Sequence, residues 1–189
     1  MIGFAMCASY CTHKDSLKLL HSICQKHEVI PILSENAYST DTRFGTAAQL
    51  ILELETITGH KVIHTIKDAE PLGPVTALEC LIICPCTGNT LAKIASGITD
   101  TSVTMAAKAH LRSDRPLLIT LASNDAMCAN LKNIAELLNK KNVYFTPLQQ
   151  DDIIKKPHSL VADFSKAESA LEYALERKQM RPLFLEANK

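Results

Sequence analysis

Short apolar runs alternate along the chain with segments in which apolar residues recur every three or four positions. The apolar runs predict strands at 2–7, 29–33, 62–64, 80–84, 117–121 and 143–146. The segments between most of them have the spacing of amphipathic helices. This alternation predicts an α/β fold: a doubly wound, mostly parallel sheet of flavodoxin-like or Rossmann-like strand order, with helices on both faces. No linker or repeat interrupts the sequence, so we expect one domain over residues 1–189.

The centre of this pattern is the stretch from Glu79 to Ala107. Its apolar run is typical of a strand buried on both faces, which we expect to end at Pro85. A polar turn of Thr87, Gly88 and Asn89 follows and leads into a helix. Ligands of open α/β sheets bind at such turns, because helix N–H groups converge there. The same arrangement also occurs without a ligand, and the spacing alone leaves both interpretations open.

Three further polar turns follow predicted strands. Ser9 and Thr12 follow the first strand and suit either a phosphate or a helix cap. The loop after the second strand contains hydroxyls and a guanidinium that match phosphate or carboxylate oxygens, namely Ser39, Thr40, Thr42 and Arg43. Alternatively, this loop caps the next helix and its arginine is solvated. Ser123 and Asn124 follow a later strand. A flavodoxin-like order would bring all four turns to one edge of the sheet, which predicts a planar, phosphorylated ligand there.

Composition excludes several functions. The 20 Lys and Arg residues balance the 20 Asp and Glu residues, and the lack of a basic run argues against a nucleic-acid binder. No apolar run reaches the roughly 20 residues that a membrane span needs, and no secretory signal is evident, so we expect a cytoplasmic protein. The seven cysteines are odd in number and lack zinc-like spacing, so we predict neither a disulfide framework nor a metal site.

The carboxyl-terminal part, residues 149–189, is predicted to have three pieces. Residues 149–159 are polar and are expected to form a loop or mobile lid. A capping box of Ser165 and Glu168 then predicts a final helix. The segment 181–185 is expected to be an extended tail, lying either on a neighbouring protomer or along its own domain.

Several of these stretches together resemble the homo-oligomeric flavin-containing cysteine decarboxylase (flavoprotein) family. The likeness is carried mainly by Pro85–Asp100 and extends over nearly the whole chain, including residues 39–45, 69–74, 105–109, 123–126, 142–145 and 155–157. Within that family, the chain is similar above all to one branch, the B subunits of bacterial dipicolinate synthases.

The resemblance implies an FMN site and a homo-oligomer. The implied FMN contacts are Ser9, Thr12, Ser39, Thr40, Thr42, Arg43, Thr87, Gly88, Asn89, Ser123 and Asn124, with Asn89 and Arg43 as candidate catalytic residues. The resemblance also implies a small dicarboxylate substrate and a partner, the A subunit of dipicolinate synthase, through which NADP would enter. The implied reaction is oxidation of a dihydrodipicolinate-type precursor to pyridine-2,6-dicarboxylate, in the mother cell during spore formation.

The sequence departs from the decarboxylating members of the family at two places. They carry a catalytic histidine before the central strand, where this chain has Glu70–Pro74 and no histidine. Their proline-methionine-asparagine motif is replaced here by Ser123–Ala126. Oxidation by hydride transfer to a flavin therefore fits better than decarboxylation. A non-catalytic scaffold for the partner dehydrogenase and an FMN-dependent decarboxylase remain alternatives, so whether this chain is itself catalytic stays open.

Overall fold

The structure, a computed structural model, describes residues 1–186 and is built around a seven-stranded sheet. Its strands are β1 (Ile2–Met6), β2 (Val29–Leu33), β3 (Cys80–Cys86), β4 (Leu117–Ser123), β5 (Val143–Phe145), β6 (Leu148–Asp152) and β7 (Lys156–Ala162). The first five are parallel in the order β2-β1-β3-β4-β5. This is the flavodoxin-like order, and the predicted α/β fold class is confirmed.

Helices cover both faces of the sheet. They are α1 (His13–Cys24), α2 (Glu35–Ser39), α3 (Ala47–Thr58), α4 (Ile66–Ala69), α5 (Gly88–Ala95), α6 (Ser102–Leu111), α7 (Leu131–Leu138) and α8 (Ala167–Leu175). Alternate strand residues face opposite sides: Ile82 packs with α1, α3 and α8, whereas Leu81 and Ile83 pack with α5, α6 and α7. The sheet is therefore buried on both faces, which explains its continuous apolar runs.

Local signals set most helix boundaries. Thr46 and Gln49 form a capping box at the start of α3, and Gly59 ends that helix in the left-handed conformation. α6 begins at a capping box made by Thr101 and Thr104, and the preceding residue, Asp100, does not cap it. Asp100 instead pairs with Lys93 at 2.8 Å.

Two strand predictions need correction. β3 continues through Pro85 to Cys86, because the chain remains paired with β4 after a shift in register. The strand expected at 62–64 is reduced to a single parallel bridge between Ile63 and Ile32. β2 lies at the edge of the named strands, where a proline such as Pro31 is tolerated.

Residues 149–159, predicted as a loop or mobile lid, belong instead to the antiparallel hairpin β6–β7. β7 also pairs antiparallel with Ala122 and Ser123 of β4, so the hairpin extends the sheet beside the end of β4. The polar sequence of this hairpin did not predict strands, because its buried apolar residues are confined to its base, at Leu148, Leu160 and Ala162.

The last two elements lie on the same domain. The predicted Ser165–Glu168 capping box is absent: Asp163 accepts hydrogen bonds from Ser165, and Glu168 accepts one from Ser22 at 2.6 Å. The tail pairs with β6, since Leu148 N donates to Leu183 O at 2.8 Å. It therefore lies along its own domain.

Candidate functional site

Four turns come together where β1, β2, β3 and β4 end. Cys7 N donates to Pro85 O at 3.0 Å, which joins the turn after β1 to the end of β3. The Tyr10 hydroxyl donates to Asn36 O at 3.0 Å, which joins the turns after β1 and β2. Gly88, after β3, lies directly against Ser123 at the end of β4. The four polar turns therefore form one continuous edge.

The turn after β1 is held by its own polar groups. The Thr12 hydroxyl donates to Ser9 O at 2.8 Å and closes a single 3-10 turn. His13 Nε2 lies 2.8 Å from Cys7 O, and burial lowers the pKa of His13. Burial likewise raises the pKa of the Cys7 thiol, which argues against a nucleophilic thiolate there. Thr12 thus stabilises the turn, whereas within residues 1–186 the side chain of Ser9 has only a 4.0 Å contact, between its hydroxyl and Cys11 Sγ.

The loop after β2 forms the short helix α2 and then a tight turn. The Ser39 hydroxyl donates to Glu35 O at 2.7 Å, within α2. The Thr42 hydroxyl donates to Gly45 O at 3.3 Å and accepts from Phe44 N. Arg43 is exposed, with its guanidinium 4.9 Å from the ring of Phe44. The exposed Thr40 makes no side-chain hydrogen bond within residues 1–186.

A carboxylate that was not selected from the sequence ties this loop to the start of α6. Glu35 Oε1 accepts a hydrogen bond from Ser102 N at 2.9 Å, at the start of α6. The buried Ser102 hydroxyl donates to Leu33 O at 2.6 Å. These contacts join residues 67 and 69 positions apart, so no local sequence signal could have indicated them.

The turn after β3 is a helix start. Thr87 caps α5, because its hydroxyl accepts from Thr90 N at 3.3 Å. The N–H groups of Gly88 and Asn89 lie in the first turn of α5, where a helix has no internal acceptors for them. The Asn89 side chain is exposed and forms no hydrogen bond with residues 1–186. These two N–H groups and the Asn89 amide are therefore the donors available at this turn.

A hydrogen-bond network fixes the turn after β4. The Ser123 hydroxyl donates to Asp125 Oδ1 at 2.6 Å, and Asn130 Nδ2 contacts both Asp125 oxygens at 3.0 Å. The hydrogen bond from Ser123 is the main reason that the pKa of Asp125 is lowered. Asn133 in turn donates to Asn130 Oδ1 at 2.9 Å. Asn130 and Asn133 were not selected from the sequence, whereas the predicted Asn124 is exposed beside them.

The predicted cofactor residues therefore fall into two groups. Five use their hydroxyls to hold the turns together, and Gly88 allows two turns to pack closely; the five are Thr12, Ser39, Thr42, Thr87 and Ser123. The other five keep side chains that can meet a ligand, and these are Ser9, Thr40, Arg43, Asn89 and Asn124.

A cleft of about 970 Å³ opens between α1 and α3, next to the turns after β1 and β2. Tyr10, Thr40, Thr42 and Phe44 line it, together with apolar residues such as Leu50. The turns after β3 and β4 do not line it. The structure thus brings Thr40 and Thr42 to a cleft, whereas Asn89 and Asn124 lie on the neighbouring edge of the sheet.

No histidine lies in the Glu70–Pro74 turn, where Gly73 packs against the backbone of Ala109. His64 stacks on Tyr38 with ring centroids 3.7 Å apart, and His60 lies 3.1 Å from Glu28. Within residues 1–186 no three His, Cys, Asp or Glu side chains are grouped as metal ligands would be. No helix in that range is long and apolar enough to cross a membrane.

Known proteins resemble this chain over nearly its full length. The B subunit of dipicolinate synthase from Bacillus subtilis (strain 168) is 39% identical over 186 residues, covering 98% of this chain and 93% of that protein. The crystal structure of the corresponding B subunit from Bacillus halodurans superimposes with a TM-score of 0.90 at 36% identity, covering 99% and 96% of the two chains. The FMN-dependent cysteine decarboxylase SpaF shares the fold, with a TM-score of 0.67 at 21% identity over 93% and 95% of the chains. The Flavoprotein family matches residues 2–170, and the chain therefore belongs to the flavoprotein family.

Proposed function

We propose that the chain is an FMN-binding B-type subunit of a dipicolinate synthase. In this role it takes part in oxidising a dihydrodipicolinate-type precursor to pyridine-2,6-dicarboxylate. The observation that carries the proposal is the 39% identity to the B-type chain of a dipicolinate synthase over 98% of this chain. The joined turns at the ends of β1 to β4 support it, because they offer donors where flavodoxin-like sheets bind ligands.

The donor set fits a flat molecule with a phosphate tail. The Ser9 and Thr40 hydroxyls and the Arg43 guanidinium are suited to phosphate oxygens. The first-turn N–H groups of α5 favour negative charge, and the Asn89 and Asn124 amides can hydrogen-bond the polar edge of a ring. Bound FMN would supply a hydride acceptor. The internally bonded residues, such as Thr12 and Ser123, would hold these donors in place.

Two features bear on the substrate. A dicarboxylate needs a cation, and Arg43 is an exposed guanidinium in the turn after β2. Aromatisation of a dihydropyridine also releases a proton, but the Glu70–Pro74 turn offers no histidine to accept it. This absence favours a second candidate function, in which the chain positions the partner dehydrogenase without performing chemistry. NADP would then act only through that partner.

Flavin binding is tested by absorbance and by titration of the purified protein with FMN. We expect a yellow protein, or saturable FMN uptake, that Asn89→Ala weakens. Asn139→Ala is the matched control, because this residue lies just beyond the carboxyl end of α7 and its side-chain amide donates to Ala135 O at 3.1 Å, within its own helix end. A colourless protein that binds no added FMN contradicts the cofactor assignment.

A second experiment separates the catalytic and scaffold functions. The chain is co-expressed with the partner dehydrogenase, and pyridine-2,6-dicarboxylate formation is compared for the original chain and Arg43→Ala. Lys178→Ala is the control, since that lysine pairs with Glu176 at 2.9 Å outside the site. Loss of product with Arg43→Ala alone supports a catalytic role, whereas unchanged production supports the scaffold. Release of carbon dioxide from cysteine-type acids would instead support a decarboxylase. Light scattering of the same samples tests the expected homo-oligomer.

A further inference from the structure

A second cleft, of about 570 Å³, lies at the outer edge of β5. We call it the β5-edge cleft and define it by Lys140, Lys141, Tyr144, Arg177, Gln179 and Arg181 among its lining residues. Lys140, Lys141 and Asn142 precede β5 and also line the cleft, so the cleft lies towards the amino end of that strand. The candidate flavin site lies at the carboxyl ends of the strands, so the two sites are separate.

Gln179 makes the wall of this cleft rigid. Phe145 N donates to Gln179 Oε1 at 2.8 Å, and Gln179 Nε2 donates to Phe145 O at 2.7 Å. The side-chain amide thus satisfies the outer edge of β5 as a neighbouring strand would. Arg177 and Arg181 lie two residues on either side of Gln179, and both line the same cleft.

The charges around the cleft are unbalanced. Lys141 pairs with Asp114 at 2.7 Å, and Lys140 lies 3.7 Å from Glu136. Neither Arg177 nor Arg181 forms an ion pair with a carboxylate in residues 1–186. Of the four cationic residues that line the cleft, the two lysines are therefore paired with carboxylates, whereas the two arginines form no ion pair within residues 1–186.

The protonation states of two side chains at the cleft also suit an anion. Burial raises the pKa of Tyr144, so its hydroxyl stays protonated and can donate a hydrogen bond. Lys141 and, to a smaller extent, Arg177 hold the pKa of Asp114 below its usual value, so Asp114 stays paired with Lys141 near neutral pH. Asp114 thus pairs with Lys141; Arg177 interacts with it through charge but forms no ion pair with it, so the donors of both arginines remain for a ligand.

We propose that the β5-edge cleft binds a small anion that carries two negative charges, either a dicarboxylate or a phosphate. A guanidinium presents a planar pair of donors that matches a carboxylate or two phosphate oxygens. Two such groups on one rigid turn can each bind one charged end of the ligand, with the Tyr144 hydroxyl beside them. The proposal does not depend on flavin binding or on the synthase assignment.

Calorimetric titration of the full-length protein with pyridine-2,6-dicarboxylate and, separately, with inorganic phosphate tests this proposal. We expect at least one probe to bind, about tenfold more weakly to Arg177→Ala or Arg181→Ala and about a hundredfold more weakly to the double variant. The probe that binds identifies which class of anion the cleft takes.

Lys155→Ala/Lys178→Ala is the charge-matched control. Lys178 lies on the same turn as the two arginines but pairs with Glu176, and Lys155 is exposed between β6 and β7. If the double arginine variant does not fold, Arg177→Lys and Arg181→Lys replace it, and each should weaken binding because the planar fork is lost. Unchanged affinity in the arginine variants, or no binding of either probe at millimolar concentration, overturns the proposal.

Discussion

Substitution of Gly88 by alanine tests the contact between the turns after β3 and β4. A Cβ at this position would lie 2.5 Å from Ser123 Oγ, 2.6 Å from Asn130 Nδ2 and 2.9 Å from Asp125 Oδ1. All three distances are shorter than real carbon contacts, and the three atoms belong to one hydrogen-bond network. The network must therefore move away from α5 to accommodate the methyl group.

The magnitude follows from three contributions. Overpacking of a close contact costs about 1–3 kcal/mol. Loss of one hydrogen bond to the Asp125 carboxylate costs about 1.5–3 kcal/mol. Alanine recovers at most about 1 kcal/mol of helix propensity at the start of α5. We expect Gly88→Ala to lower the free energy of unfolding by roughly 2–5 kcal/mol.

Urea unfolding followed by circular dichroism measures this loss, with FMN titration as the second measurement. Asn89→Ala is the control for stability, because the exposed Asn89 side chain forms no hydrogen bond with residues 1–186. Its removal should change the free energy of unfolding by less than about 0.5 kcal/mol. Gly88→Ala should weaken FMN binding as well, since the donors of α5 shift relative to Asn124. An unfolding midpoint equal to that of the original chain would show that the two turns do not pack as described.

Three further predictions concern stability and reactivity. Thr46→Ala should lower the free energy of unfolding, measured by urea denaturation, by about 1 kcal/mol, because it removes the capping box of α3. Thr56→Ala within the same helix should lower it less, and equal effects would contradict the capping argument. A thiol reagent should label the exposed Cys11 in the native protein. Cys84 should react only on unfolding, because burial raises the pKa of its thiol to about 12. Labelling of Cys84 before unfolding, detected by mass spectrometry, would contradict its burial. Because the pKa of Asp125 is lowered in the folded state, its ionised form stabilises the fold above the usual carboxyl pKa of about 3.9, and this contribution is lost as the pH falls through the folded value. The stability difference between the original chain and Asp125→Asn should therefore shrink below about pH 4. A difference that stays constant with pH would refute this prediction.

The hydrophobic pattern of the sequence predicted the main strands, most helices and the flavodoxin-like class. It succeeded because strands buried on both faces, such as Cys80–Cys86, require continuous apolar runs, and because helix caps such as Thr46 and Gly59 act within a few residues. The same pattern failed for the hairpin of residues 148–162. Its strands are stabilised by pairing with each other and with β4, while much of their surface faces solvent.

The sequence also determined which turns carry polar residues, since chemistry and position along the chain are local properties. Only the tertiary structure decided how each polar group is used, because a hydrogen-bond partner is set by distance in space. Ser123 and Thr87 were expected to contact a ligand, but their hydroxyls hold the protein's own turns together. Glu35 meets the start of α6 from 67 residues away. Arg177 and Arg181 line the same cleft as Lys141 because the segment after α8 folds back along β5, where Gln179 pairs with the edge of that strand.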